Sequence, residues 1–245
     1  ARGARLARLA ALGLPVPAAL VYPPALVDAI ATGAAVDWPS ALKGQALALR
    51  AAPQQAEWGG PESVLPIGVA DDTLDGFIAE LGEDAALRLH LQTIRRLGAA
   101  LSGAPASSIA ASVRGDETAG ELRPRIAEAL AAYHDDTDED FPATAAAQLR
   151  AALRQMARGW HSASAKILRI AKGAPEGAGL ALIAQVMVPD CRTGRMQFVD
   201  ASTGQPGLNG FVRASGEEVP LTSLPEQTQA ILRAFDAPLT RGHKD

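Results

Sequence analysis

The chain has 245 residues, 48% of them hydrophobic and 20% charged, and a formal net charge of -4. Such a balance belongs to a globular protein with apolar surface enough for a sizeable core, and its negative charge offers no basic field to nucleic acid. No apolar run approaches the roughly 18 residues of a membrane helix, the basic start is not a secretory leader, and the single cysteine, Cys191, excludes an internal disulfide or a cysteine metal cluster. The composition therefore reads as a cytoplasmic protein with neither a nucleic-acid nor a membrane partner.

Leu6, Leu9 and Leu12 recur at helical spacing after Arg2, Gly13 ends that helix, and Pro15 and Pro17 force an extended exit into a strand over residues 18–22. Pro23 and Pro24 open a helix to about Ile30, and a short strand follows over residues 46–50. Helical patterns then cover 71–81, 83–101, 120–133 and 143–160, with Gly103, Pro105 and Pro124 as punctuation, and a further helix covers 165–172. From Leu180 the pattern changes to strands, over 180–188, 196–200 and 211–214, and a helix over 225–235 closes the chain. These elements predict an α+β or α/β chain in three parts: a first α/β lobe over 1–70, a mainly helical insert with linking helices over 71–175, and an antiparallel strand lobe with a terminal helix over 176–245.

Few residues stand in patterns that carry chemistry. Arg2, Arg5 and Arg8 form a basic helix face that spacing alone describes as solvated. The acidic run 135–140 lacks the central glycine and the later glutamate of a calcium loop and reads as a solvated turn. His90, His134, His161 and His243 stand in no recognisable catalytic motif, and no nucleophile elbow, HExxH or paired-cysteine spacing is present. Trp38, Trp58 and Trp160 are too dispersed for a base-stacking stripe and read as packing anchors. Ala1 is not a natural translation start, which implies an initiator methionine or a longer first strand ahead of it.

The stretch from Arg2 to Pro17 is similar, without a gap, to the KGANLAEMTNLGLPVP opening of the nucleotide-binding domain of pyruvate phosphate dikinases. Ala46-Leu47-Ala48-Leu49-Arg50 falls on the family's LVSVRSG strand, and residues 62–69 fall on its DTVLNLGLN in the same register. Asp140-Phe141-Pro142 and the helix from Gln148 to Trp160 resemble the DFPxxPxxQLxxAI...SW segment, and Gln185-Val186-Met187-Val188 resembles the VQAMV strand. A second likeness to the arginine strand, Ala111-Ser112-Val113-Arg114-Gly115, lies inside the helical insert and does not continue.

The resemblance implies an ATP-grasp-like two-lobed domain with an inserted helical subdomain, binding ATP with Mg²⁺ for phosphoryl transfer. By position, Arg2 stands for the family's phosphate-binding lysine, Arg50 for its phosphate-contacting arginine, and Gln185, Met187 and Val188 for the strand bordering adenine. Arginine keeps the cation but presents a planar fork instead of a compact ammonium. Implied partners are a nucleotide and a separate phosphohistidine or pyruvate-binding domain, neither of which fits in this length.

Three departures weaken the expected catalysis. The loop 51–61 has lost the family's second arginine and glycine and contains Pro53, which has no N–H for a phosphate. Val199 replaces an arginine, and Asn209 replaces a magnesium-binding glutamate, leaving Asp200 and Glu217 as the nearest acidic candidates for a metal. Phosphoryl transfer rests on positioning and charge neutralisation, so these losses predict weak or absent turnover. The alternative expectation is a non-catalytic paralogue that serves as a regulatory or interaction module.

Overall fold

The computed structural model describes residues 2–189, 191–200, 202–214 and 217–236. The chain divides into two compact units, one built from residues 1–3 and 17–187 and the other from 4–16 and 188 onward. The fold is mixed α+β with two antiparallel sheets. The first helix, α1 (Arg2–Ala11), ends as its sequence dictates. Gly13 adopts φ 74° and lets the Leu14 N–H reach back to the Leu9 carbonyl at 3.1 Å, closing the helix end.

In the first unit, β1 (Ala19–Tyr22), α2 (Pro24–Ala31), β2 (Leu47–Pro53) and β3 (Val64–Ile67) come before the helical insert. The insert consists of α3 (Leu74–Leu81), α4 (Glu83–Ser102), α5 (Ala106–Ile109) and α6 (Ala119–Thr137), followed by α7 (Ala145–His161), α8 (Ala163–Ala171) and β4 (Leu180–Val186). The sheet order is β1-β4-β2-β3. Grouping residues 176–187 with the later strands is therefore corrected: β4 pairs with both β1 and β2 at the centre of the first sheet. Its nearly unbroken apolar run accords with a central strand paired on both edges. The alternation of helix and strand over residues 1–70 also builds no parallel pair, because β4 enters between β1 and β2 from far along the chain.

One face of this sheet makes the main core. Leu47 and Leu49 of β2 and Leu182 and Ala184 of β4 pack with Val27 and Ile30 of α2 and with Leu149, Leu153, Met156 and Trp160 of α7. The α7 residues recur at intervals of three and four, so they form one helix stripe; full burial of each side chain contributes about 1.5–3 kcal/mol. Thr144 caps α7 by accepting the Ala147 N–H at 3.2 Å. Gln148, fully buried in the first turn, accepts the Gly68 N–H at 2.9 Å and donates to the Val69 and Pro142 carbonyls. That amide fixes the exit of β3 against α7.

The insert has its own core, in which Leu87, Leu91 and Ile94 on α4 face Leu122, Ala129 and Tyr133 on α6. Thr118 and Glu121 form a capping box at the start of α6. Pro124 lies within that helix and does not break it: its missing N–H costs one intrahelical bond near the helix start, on an exposed position. On α8 the usual burial is inverted. Arg169 is buried, its guanidinium 3.6 Å from the centroid of the Trp160 ring and its Nη1 donating to the Trp160 carbonyl at 2.6 Å, which turns Ile167, Leu168 and Ile170 to solvent.

Tyr22 in the main core has a hydroxyl with no hydrogen-bond partner, and burial pushes its pKa up to about 12. Tyr22→Phe removes a buried polar atom that gains nothing, so it is expected to leave stability unchanged or raise it by up to about 1 kcal/mol. Urea unfolding checks this; a clear loss of stability would show that the hydroxyl is satisfied in solution.

The second unit contains β5 (Gly194–Val199), β6 (Pro206–Ala214), β7 (Glu217–Pro220) and α9 (Glu226–Arg233). The strands pair in chain order as an antiparallel meander. Among the described residues, no helix is long and apolar enough to cross a membrane.

Candidate functional site

The second face of the first sheet holds the residues with unspent polar capacity. Directly opposed residues of antiparallel strands share a face. Arg50 is opposite Ile183, and Ile183 is opposite Val21 on the other side; Gln185 is opposite both Ala48 and Ala19. Arg50, Ile183, Val21 and Gln185 therefore point to the same side, away from Leu47, Leu49 and Leu182.

The start of α1 lies on this side. Gly3 comes so close that a Cβ there would stand 3.3 Å from Val21 Cγ2 and 3.9 Å from Ile183 Cδ1. A side chain at position 3 would press on Val21, and glycine permits the approach. Gly3 thus lies on the face that carries Arg50, against the residue paired to Arg50. The side chain of Arg2 lies outside the described residues. No acidic residue occupies the first turn of α1, so no carboxylate there competes for an anion.

Arg50 is half-buried, and its Nε is shielded from solvent without any hydrogen-bond partner. Among the described residues it makes no ion pair. A guanidinium offers five donors in a fixed fork, and a shielded donor left unmade costs on the order of 1–3 kcal/mol. An anion arriving on this face would recover that cost. The competing Arg114 stands instead in the loop before α6, 3.3 Å from Asp116 and exposed.

The expected adenine border separates into different roles. Gln185 presents a half-buried amide on the Arg50 face. Met187 continues past β4, its N–H donating to the Ala46 carbonyl at 2.8 Å, and its side chain packs partly against the cluster of Ala46, Val69, Phe77, Ala86 and Leu89. Val188 is 54% exposed beyond the strand end. The expected phosphate loop also differs: residues 51–53 extend β2, with Pro53 opposite Leu180, before a single helical turn at Ala56–Trp58.

Asp200 and Glu217, the nearest acidic candidates for a metal, stand apart in the second unit. Asp200 follows Val199, whose partner on β6 is Pro206, whereas Glu217 is opposite Ala214 at the other end of β6. At about 3.3 Å per residue the strand between those partners spans roughly 25 Å. Asp200 is also committed to its own turn. Its carboxylate accepts the Ser202 hydroxyl and the N–H groups of Ser202 and Thr203 at 2.8 and 2.9 Å, and these bonds, the hydroxyl first, pull its pKa down to about 2. Asn209 spends its amide on the Gly207 carbonyl at 3.0 Å. Arg213 is paired with Glu218 at 2.9 Å. Among the described residues no three His, Cys, Asp or Glu side chains converge on a metal position.

His90 is buried, with Nδ1 held 3.0 Å from the Val69 carbonyl and Nε2 3.9 Å from Asp71. It borders a cavity of about 190 Å³ with Asp71, His134 and Asp140. The structural contribution of Gly3 was missed in the sequence; the one signal for it is that this glycine directly follows the cation at position 2. Comparison with protein-family models finds no family that matches the chain, and comparison with curated proteins finds no matching relative.

Proposed function

We propose that this chain is a nucleotide-binding domain of the pyruvate phosphate dikinase kind, with an ATP-grasp-like fold, which takes the phosphates of ATP on the Arg50 face of its first sheet. The observation that carries the reading is the shielded, unpartnered Nε of Arg50 on the same face as the start of α1. A cation and a helix start converging on one sheet face suit a phosphate. The likeness of residues 2–17, 46–50 and 185–188 to the dikinase segments supports the nucleotide over other anions. Gln185 would offer its amide to the base, and a cytoplasmic setting accords with ATP as the ligand.

A second reading, binding without turnover, is favoured by one specific observation. The acidic candidates for Mg²⁺, Asp200 and Glu217, stand at opposite ends of β6, and Asp200 already caps its own turn. The residues present therefore do not fit a shared metal ion. In this reading the chain serves as a regulatory or interaction module, and a separate phosphohistidine or pyruvate-binding domain is its natural partner.

Calorimetric titration with ATP tests both readings. Binding is expected with and without Mg²⁺, and Arg50→Ala should weaken it by about tenfold or more, since a charge-assisted hydrogen bond is worth about 1.5–3 kcal/mol. No heat at millimolar ATP, or an affinity indifferent to Arg50, would remove the nucleotide reading. Phosphate transfer to a separately supplied phosphohistidine domain would remove the non-catalytic one.

A further inference from the structure

We propose that the second unit carries a separate binding site for a small amphipathic acid, in the groove bordered by β5, β6 and α9. The groove has a volume of about 450 Å³ and is lined chiefly by Met196, Phe211, Val212, Leu221, Leu224 and Leu232. That volume falls within the roughly 300–1,000 Å³ of small-molecule sites, which are mostly apolar with a few polar groups that orient the ligand. Here the orienting groups are two cations. Arg192 and Arg195 also line the groove, and among the described residues no acidic one does.

Two further arginines of the β5–α9 region are already engaged. Arg213 is held by Glu218 at 2.9 Å and lies over the Phe211 ring, and Arg233 donates to Gln229 at 2.7 Å. The side chains of Arg192 and Arg195 make no hydrogen bond or ion pair among the described residues, and both are exposed. Arg195 sits on β5 directly opposite Phe211, so its position is set by the sheet ladder. An apolar trough beside two free guanidinium groups selects a molecule with an apolar chain or ring and one anionic end. Burying the chain recovers about 25 cal/mol per Å² of apolar surface, and the carboxylate or phosphate meets guanidinium donors in a bidentate geometry. An ammonium amphiphile of the same length would face repulsion at the same end. The ligand is taken to be a free acid because the lining is concave and belongs to a single unit.

Decanoate, kept below its micellar concentration, is the probe, titrated calorimetrically into the whole chain. Saturable binding at one site is expected, with decylamine at least tenfold weaker. The double variant Arg192→Gln/Arg195→Gln should lose tenfold or more in affinity for decanoate. Thr228→Trp, which adds bulk at an exposed lining position on α9, should abolish binding while leaving the circular dichroism and Tm unchanged. Absence of saturable heat at millimolar decanoate would overturn the proposal. So would equal affinity for decylamine, or binding untouched by either variant. ATP affinity is expected to be the same in all three proteins, which separates this site from the Arg50 face.

Discussion

Trp160→Ala is expected to destabilise the protein by about 3–5 kcal/mol, the largest effect of any single truncation in the first unit. The ring is 1% exposed at the end of α7, where it closes the main core beneath the sheet. It also holds two neighbours. Its Nε1 donates to the Ala178 carbonyl at 3.2 Å, just ahead of β4, and its face supports the buried Arg169 guanidinium of α8. Truncation therefore leaves a cavity, an unpaired carbonyl and a buried cation that has lost its platform. Trp160→Phe keeps most of the volume and should cost about half as much or less. Urea unfolding of the three proteins measures the series, and a loss below 1 kcal/mol for the alanine variant would show that α7 ends outside the core.

Glu117→Ala is expected to cost about 2–3 kcal/mol, which is unusual for a loop carboxylate. Glu117 is 1% exposed ahead of α6 and accepts hydrogen bonds from the Arg114 N–H at 2.8 Å, the Gly115 N–H at 3.1 Å and the Arg125 guanidinium. Its own carbonyl takes Arg88 of α4 at 2.6 Å, so the residue joins α4, α6 and the loop between α5 and α6. Removing it leaves two backbone donors without an acceptor and takes the carboxylate from Arg125, which keeps only the Ala111 and Ser112 carbonyls. Arg125 retains some contact with water, which keeps the estimate below that of a fully buried pair. Burial pushes the Glu117 carboxyl up, but the Gly115 and Arg114 N–H groups and the Arg125 charge outweigh it, and its pKa lies below the ordinary glutamate value. The contribution is therefore complete above the ordinary carboxylate range and lost as pH falls through the lowered folded value. Acid titration of stability should show a smaller decline in Glu117→Ala than in the parent; equal declines would remove Glu117 as the source.

Most helices were legible because they are long, periodic and capped. The stripe Leu149, Leu153, Met156 and Trp160 needs no tertiary knowledge to be assigned to one helix face, and the turn at Gly13 follows from glycine alone. Short strands with weak patterns were not. β3 contains Pro66, which argues against a central strand but is tolerated at the sheet edge that β3 occupies. β7 reads Glu217-Glu218-Val219-Pro220, too polar and too short to signal a strand before its pairing with β6 is known. The separation of Asp200 and Glu217 was hidden for a related reason: the sequence does not show that a nine-residue strand runs between them.

By itself the chain's order of residues determined the helical periods, the apolar character of β4, the helix caps and the cation at position 50. Those are consequences of local geometry, since a helix or strand displays its own repeat within a few turns. Only the tertiary structure decided that β4 lies between β1 and β2, that Gly3 rests on the residue paired with Arg50, and that the Arg50 Nε is left without an acceptor. Each of these depends on contacts between segments more than a hundred residues apart. The free energy of such contacts belongs to the assembled surface and is written in no single stretch of the chain.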